Sequence, residues 1–282
     1  MAISVSRTYS PRWLTQIVNT LSSVLLANRS LRQLLAMVLF FGVWQFLCGI
    51  NFNIFVDFQF VPSPTEALTA TIKFMSDNPW VHFRSSIMRV FWGYGFAAVL
   101  GVLLGVLIGW CAAAEDLLLP PLELLRPIPA VAWIPLAILM FPTSESGMIY
   151  ITFIGAFFPI LVSTIRGVES TLNDMVLVRV GQCLGAKPWH IFKDIVVPGS
   201  LPSIASGLTI GMGNAWFCLV TAEILAGRYG IGYLTWESYV TSNYPPIVMG
   251  MLFIGLLGAF SSWSVNKGME ALMPWRVIKK QS

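Results

Sequence analysis

Residues 179–202 read RVGQCLGAKPWHIFKDIVVPGSLP, a polar, charge-bearing island in an otherwise oily chain. Asn173 or Asp174 supplies a helix start ahead of it, and the helix is expected to run to Leu184 and stop at Gly185. Pro188 then suits the first position of a second short helix, with Pro198 and Pro202 standing before the next apolar run. On that second helix Trp189, Phe192 and Val196 form one stripe, while Lys187, Lys193 and Asp194 lie elsewhere. Two readings follow. Apolar anchors within a polar rim make a knob for a groove on another protein, or the hairpin packs on its own bundle.

The rest of the chain explains why such an island stands out. Of 282 residues, 56% are hydrophobic and 11% are charged, and the mean hydropathy is +0.74. A soluble globular chain carries roughly 25% charged residues, so lipid must cover this one. The net charge of +4 is a topology signal, since no basic run with interleaved aromatics points to nucleic acid. Cys48, Cys111, Cys183 and Cys218 are far apart, without metal-ligand spacing, and read as small apolar residues. No metal site and no catalytic residues are expected. His82 and His190 have no acid or nucleophile near them in sequence, and no phosphate-binding glycine loop is present.

A span needs about 20 mostly apolar residues. Six runs qualify, at 33–51, 87–113, 121–141, 147–166, 203–225 and 246–265. With the N-terminus inside, thirteen of the 17 Lys and Arg residues fall on the cytoplasmic side, which places both termini and the 179–202 island there. The fold class expected is an all-α membrane protein of six transmembrane helices with a cytoplasmic loop. Residues 1–32 form a cytoplasmic amphipathic segment with Trp13, Leu14, Ile17, Val18, Leu21, Val24 and Leu25 on one face, and it is not a cleavable signal. Residues 33–265 form the six-span domain, with its loop at 170–202, and 266–282 a cytoplasmic tail. Between spans 1 and 2, Ser63-Pro64-Thr65-Glu66 is a capping box that starts a helix over 64–76.

Within the spans, Ala97, Gly101, Gly105 and Gly109 recur at four-residue steps, which predicts close helix packing in lipid. Pro127, Pro129 and Pro135 predict a kinked or broken third span, tolerated where freed backbone groups meet protein or a water-filled cavity. Span 5 carries Thr209, Asn214, Thr221 and Glu223. Asn214 and Glu223 are costly in hydrocarbon and are expected to face the bundle interior or an aqueous path. An anion would favour neutral donors such as Asn214, Thr221 or Trp216 over Glu223, whose roles are a structural hydrogen bond or a gate. Arg84 and Arg89 read as snorkelling anchors near the outer entrance.

Leu184-Gly185-Ala186 followed by Ile195-Val196-Val197-Pro198 and Pro198-Gly199-Ser200-Leu201-Pro202 resembles the coupling loop of ABC importer permeases of the nitrate/taurine/alkanesulfonate/bicarbonate type. Val61-Pro62-Ser63-Pro64, the RPIPAVAWIPL run at 126–136, Phe158-Pro159-Ile160, Thr221-Ala222-Glu223, Gly230-Ile231-Gly232 and Met273-Pro274-Trp275 are similar to that family's landmarks, in order. One departure is Arg179, which stands where the family motif has glutamate. The resemblance implies a permease in the plasma (inner) membrane, not an enzyme, with a conduction path along the axis of a homodimer. It implies two ATP-binding subunits that use ATP and Mg, none of it bound by this chain, and an extracytoplasmic binding protein that delivers a small anion. Arg179, Leu184, Gly185, Ala186, Trp189, Phe192 and Pro198 would couple to the ATPase. Trp133, Asn214, Trp216, Thr221 and Glu223 would line the path or its gate. The competing readings are a secondary transporter or channel acting alone, for which inverted repeats and mid-membrane ionisable groups would be the mark, and a scaffold that only recruits a partner.

Overall fold

The structure is a computed structural model that describes residues 29–50, 60–76 and 79–277. The expected amphipathic helix over 13–25 lies outside the described residues. Every element among those residues is helical, in two compact units, one up to Thr69 and one from Ala70 onward. In the first unit, α1 (Arg29–Gly49) is long and apolar enough to cross a membrane. The capping box is present. The Glu66 amide donates to Ser63 Oγ at 3.3 Å, and the Ser63 amide donates to Glu66 Oε2 at 2.8 Å. They start α2 (Pro64–Ser76), the span of residues that the sequence gives it.

The second unit is built on three long helices, α3 (Trp80–Trp110), α6 (Ser144–Asn173) and α9 (Val197–Ala226). Helix α6 runs between the other two, parallel to α3 and antiparallel to α9. The reason is steric. Along α3, a Cβ on Gly93 would stand 2.7 Å from Thr152 Cβ, on Gly105 2.6 Å from Thr164 Cβ, and on Gly109 2.8 Å from Val168 Cβ. Ala97, on the same stripe, is fully buried. On the α9 side, Gly207 meets Ser163 and Gly211 meets Ile160, at 2.6 and 2.7 Å from a would-be Cβ. Lipid tails are as apolar as leucine, so helices in a membrane gain chiefly from backbone-close van der Waals contact and not from escape from water. The small-residue stripe supplies that contact. Thr152 and Thr164 face that stripe and Thr171 faces Gly199 of α9, none with an unpaired hydroxyl, because each donates at 2.8 Å to the carbonyl four residues back.

The third span departs from its expected bounds. It begins at α4 (Ala112–Leu125), with Pro120 and Pro121 inside the helix, and continues after a break as a 3-10 turn (Ala130–Trp133) and α5 (Ile134–Met140). The two halves are bent by 84°. Pro127 and Pro129 cause the break, since neither donates to the helical ladder and each disfavours helical backbone in the residue before it. Pro135 lies in the first turn of α5, where a missing N–H costs nothing, so it starts a helix and does not kink one. Helices α1, α3, α6 and α11 (Pro245–Ala271) and the stretch Pro188–Ala226 make five spans, or six when the bent pair counts as one. The helices outrun the apolar windows at most ends: α6 extends from 147–166 to 144–173 and α11 from 246–265 to Ala271.

The island folds as a hairpin at one end of the bundle. Asp174 Oδ1 accepts from the Val176 amide at 3.3 Å and starts α7 (Met175–Cys183). Gly185, at φ +78°, ends it in the left-handed conformation that glycine adopts at least cost. The Ala186 amide reaches back to Gly181 O at 3.0 Å. Helix α8 (Pro188–Ile191) begins with its proline. Contrary to expectation, no loop separates it from span 5: a wide π turn (Phe192–Val196) leads directly into α9. Pro198 cannot donate to the carbonyl of Asp194. The ladder is re-registered just before it, where the Val197 amide bonds to Phe192 O.

The packing argument is testable by substitution. Gly105→Leu is expected to cost about 1–3 kcal/mol through overpacking, read as a lower unfolding midpoint in detergent. Gly255→Ala, where a Cβ meets nothing within 4 Å, should leave the midpoint unchanged or slightly raised.

Candidate functional site

Three features of the second unit bear on function: an ion-pair cluster at the end of the bundle away from the hairpin, a cavity beside the broken span, and the hairpin's exposed face.

Glu223 and Arg89 form the centre of the cluster, at 0% and 2% exposure. The guanidinium Nη1 donates to Glu223 Oε1 at 2.8 Å and to Tyr229 O at 2.6 Å. Its Nε donates to Glu145 Oε2 at 2.8 Å, and Nη2 bonds Glu145 Oε1. Glu223 also accepts from the Ser86 hydroxyl at 2.7 Å and from the Gly232 amide at 2.8 Å. Ser86 Oγ in turn accepts from the Ile231 amide at 3.0 Å. Each buried charge thus has an opposite charge and further hydrogen bonds, the condition under which burial is tolerable. The loop wraps the carboxylate because Gly230, at φ +135°, carries no side chain where the Glu223 carboxylate sits. This fixes the start of α10 (Ile231–Val240). Arg89 is therefore not a snorkelling anchor, whereas Arg84, one turn earlier, is exposed. A sequence signal for Arg89 exists: it lies on the same four-residue steps as Gly93, Ala97 and Gly101, the buried stripe of α3.

The cavity, of about 520 Å³, lies between α6, α9 and the irregular backbone after Arg126. Pro159 lines it and, lacking an N–H, leaves the carbonyl of Gly155 without its ladder bond. Asn214 and Ser163 also line it, and neither side chain is hydrogen-bonded to any described residue. Of the five span residues proposed from sequence, Asn214 alone is part of this lining. Trp216 is buried, its indole N–H donating to Ser261 Oγ at 2.8 Å on α11. Trp133 packs against the same apolar cluster as Trp216, its indole N–H buried and without a partner among the described residues. Thr221 donates to the carbonyl of Phe217 at 2.9 Å in its own helix, and Glu223 belongs to the ion-pair cluster. Trp216 and Glu223 are both interior residues, and for Glu223 this is the bundle-interior alternative of the two that its cost in hydrocarbon left open.

The hairpin divides its apolar residues. Val196 and Ile191 are buried against Val168 of α6 with Phe192 half-covering them, and the Phe192 ring lies 5.0 Å from that of Trp110. Trp189 stacks on Phe192 at 5.5 Å yet is 66% exposed. The stripe read from sequence thus splits, Phe192 and Val196 fastening the hairpin to the bundle while Trp189 faces out. Its exposed partners sit on α7, where Val176 is 70% and Leu184 82% exposed and Leu177 and Val180 are also exposed. Val176, Val180 and Leu184 line one shallow groove with Arg179. Sequence reading missed Val176, Leu177 and Val180, although their spacing to Leu184 places them on one helix face. Gly185, Ala186 and Pro198 shape the hairpin, as the turn, the return bond and the start of α9.

Comparison with known proteins is consistent along most of the chain. The family described as binding-protein-dependent transport system inner membrane component matches residues 97–267. A protein of Methanocaldococcus jannaschii, named as a candidate ABC transporter permease, is 39% identical over 69% of this chain and 73% of its own length. The nitrate import permease protein NrtB of a Synechocystis species is 32% identical over 84% of this chain and 86% of its own. The taurine transport system permease protein TauC of Escherichia coli is 28% identical over 77% and 80%.

The ion-pair cluster carries a graded expectation. Arg89→Ala leaves the buried Glu223 without an opposite charge and is expected to cost about 3–5 kcal/mol, and Glu223→Ala, which leaves Arg89 paired with Glu145, should cost less than that. Glu145→Ala, whose carboxylate is 60% exposed, should cost no more than about 1 kcal/mol. Unfolding midpoints of the three variants in one detergent give the ranking.

Proposed function

The chain belongs to the family of binding-protein-dependent transport system inner membrane components, and on that footing we propose that it forms the path for a small oxyanion of the nitrate or sulfonate class. It is a multi-pass membrane permease of an ABC importer, a transport subunit and not an enzyme, and its family works with an ATPase and a substrate-binding protein. In the proposed assembly two copies of the chain meet around the path, both termini and the hairpin lie in the cytoplasm, and the inner membrane holds the complex. The thirteen-to-four partition of Lys and Arg supports that orientation. The anion class rests on the NrtB and TauC relatives.

The observation that carries this reading is the exposed apolar face of the hairpin. Val176, Val180, Leu184 and Trp189 stand out at one end of the bundle, on a loop too polar to lie among acyl chains. An exposed apolar set rimmed by charge marks a protein contact, and here the partner is the ATP-binding subunit. ATP and Mg are used there, and this chain contributes the lever. Its hairpin is fastened to α6 and α3 through Val196, Ile191 and Phe192. Closure of two ATPases would therefore move the bundle with the hairpin, opening the cavity beside Asn214 first to one side and then to the other. A secondary transporter would need no such face.

Two measurements test the proposal. The purified chain is expected to hydrolyse no ATP, and activity without a partner would overturn the division of labour. Leu184→Asp is expected to lower ATPase co-purification by tenfold or more, on the scale of a central interface residue worth about 2 kcal/mol, while insertion into the membrane persists. Gly185→Trp should likewise uncouple hydrolysis from uptake or prevent assembly. Nitrate and taurine uptake by proteoliposomes holding permease, ATPase and binding protein decides the substrate class.

A further inference from the structure

The geometry points to an anion subsite at the hairpin-proximal end of the cavity, formed by the guanidinium of Arg126 with the hydroxyl of Ser163, while the amide of Asn214 stands further along the same lining, level with Gly155. The inference deepens the importer reading and rests on it for the class of ligand. Arg126 lines the 520 Å³ cavity together with Ser163 and Asn214, and no aspartate or glutamate is in that lining. The guanidinium makes no ion pair and no side-chain hydrogen bond to a described residue, nor do the other two side chains. Ser163 differs in this from Thr152, Thr164 and Thr171 on the same helix, which spend their hydroxyls on helix carbonyls. A cation beside neutral donors, in a space free of acids and walled by apolar side chains, selects for negative charge. A guanidinium also presents paired donors to a planar nitrate or to the oxygens of a sulfonate.

Carboxylates do stand near Arg126 on its other side. A smaller hollow, of about 140 Å³, brings Glu123 and Glu169 to it along with Arg166. Two acids and two guanidiniums balance there, and none is within ion-pairing distance of another. With no ion pair formed to Glu123 or Glu169, the guanidinium of Arg126 keeps its donors available to the cavity that it also lines. The break at Pro127 and Pro129 is what aims the residue: an unbroken helix through 112–140 would not turn by the observed 84° just after Arg126. The sequence places this arginine at the head of the RPIPAVAWIPL run but gives no reason to separate it from the other cytoplasmic basic residues.

The test reads the subsite without transport first. Phenylglyoxal modification of the purified chain, followed by peptide mass spectrometry, is run in sodium nitrate and in sodium methanesulfonate. Arg126 is expected to be protected severalfold and the exposed Arg84 unprotected, with protection reduced in Ser163→Ala. Equal behaviour of Arg126 and Arg84 would mean ionic screening and would overturn the subsite. In reconstituted complexes, Arg126→Gln is expected to lower anion uptake about tenfold or more, the worth of a hydrogen bond to a charged group, while the binding protein still stimulates ATP hydrolysis. Arg126→Lys should recover part of the uptake. Wild-type uptake by Arg126→Gln would refute the subsite and leave the importer reading intact. A wild-type complex that imports neither anion would refute the proposed substrate class, and the protection experiment would still decide the subsite.

Discussion

Everything in the second unit hangs on the absence of side chains along one face of α3. Gly93, Gly101, Gly105 and Gly109 let the backbone of α3 come against Thr152, Ile160, Thr164 and Val168 of α6 at distances a Cβ would forbid. Since lipid supplies no hydrophobic drive between helices, this contact and its counterpart between α6 and α9 hold the bundle. The other features are placed by it. The Arg89–Glu223 pair is sealed where α3 and α9 end their shared flank of α6, the cavity opens where the broken span is parted from α6 and α9, and the hairpin is seated on the last turns of α6.

Much of this was legible from residue type and spacing. Four-residue steps of small residues, a capping box at Ser63, a left-handed stop at Gly185 and a proline start at Pro188 are local codes, and each is read correctly because the cause lies within a few residues. The expected helices came out too short, because a hydropathy window stops at the first polar residues while backbone hydrogen bonding continues through Glu145 and Asn173. The continuity of helix through Pro198 was not legible for a related reason. A proline reads as a helix end, but one widened turn re-registers the ladder and lets the helix pass.

The site was less legible because its parts are joined across helices. Arg89 lies 134 residues from Glu223, and nothing near either names the other. The four-residue count from Gly93 back to Arg89 does mark the arginine as facing inward, and an inward arginine in lipid demands an acid. The hairpin is a milder case. Trp189, Phe192 and Val196 share a stripe in sequence, yet the packing of Val196 against Val168 turns that stripe toward the bundle and leaves Trp189 and the face of α7 outside. Asn214 and Trp216 are two residues apart and so on opposite sides of α9, one on the cavity and one in the core.

The unbroken run from Pro188 to Ala226 has a mechanical meaning. Thirty-nine residues of continuous helix amount to a rod of about 58 Å at 1.5 Å per residue. The exposed Trp189 is at one tip, Asn214 two-thirds of the way along, and Glu223 near the other tip. The rod is uninterrupted by any loop, and its one irregularity in hydrogen-bond register is the π turn at Phe192–Val196. Its far tip is clamped through Glu223 to α3 by a charge pair and to α10 by a backbone amide, so torque applied at the tryptophan end is resisted at the carboxylate end. Asn214, between grip and clamp, rides on the part of the rod packed closest to α6, so a push at the tryptophan end reaches the cavity.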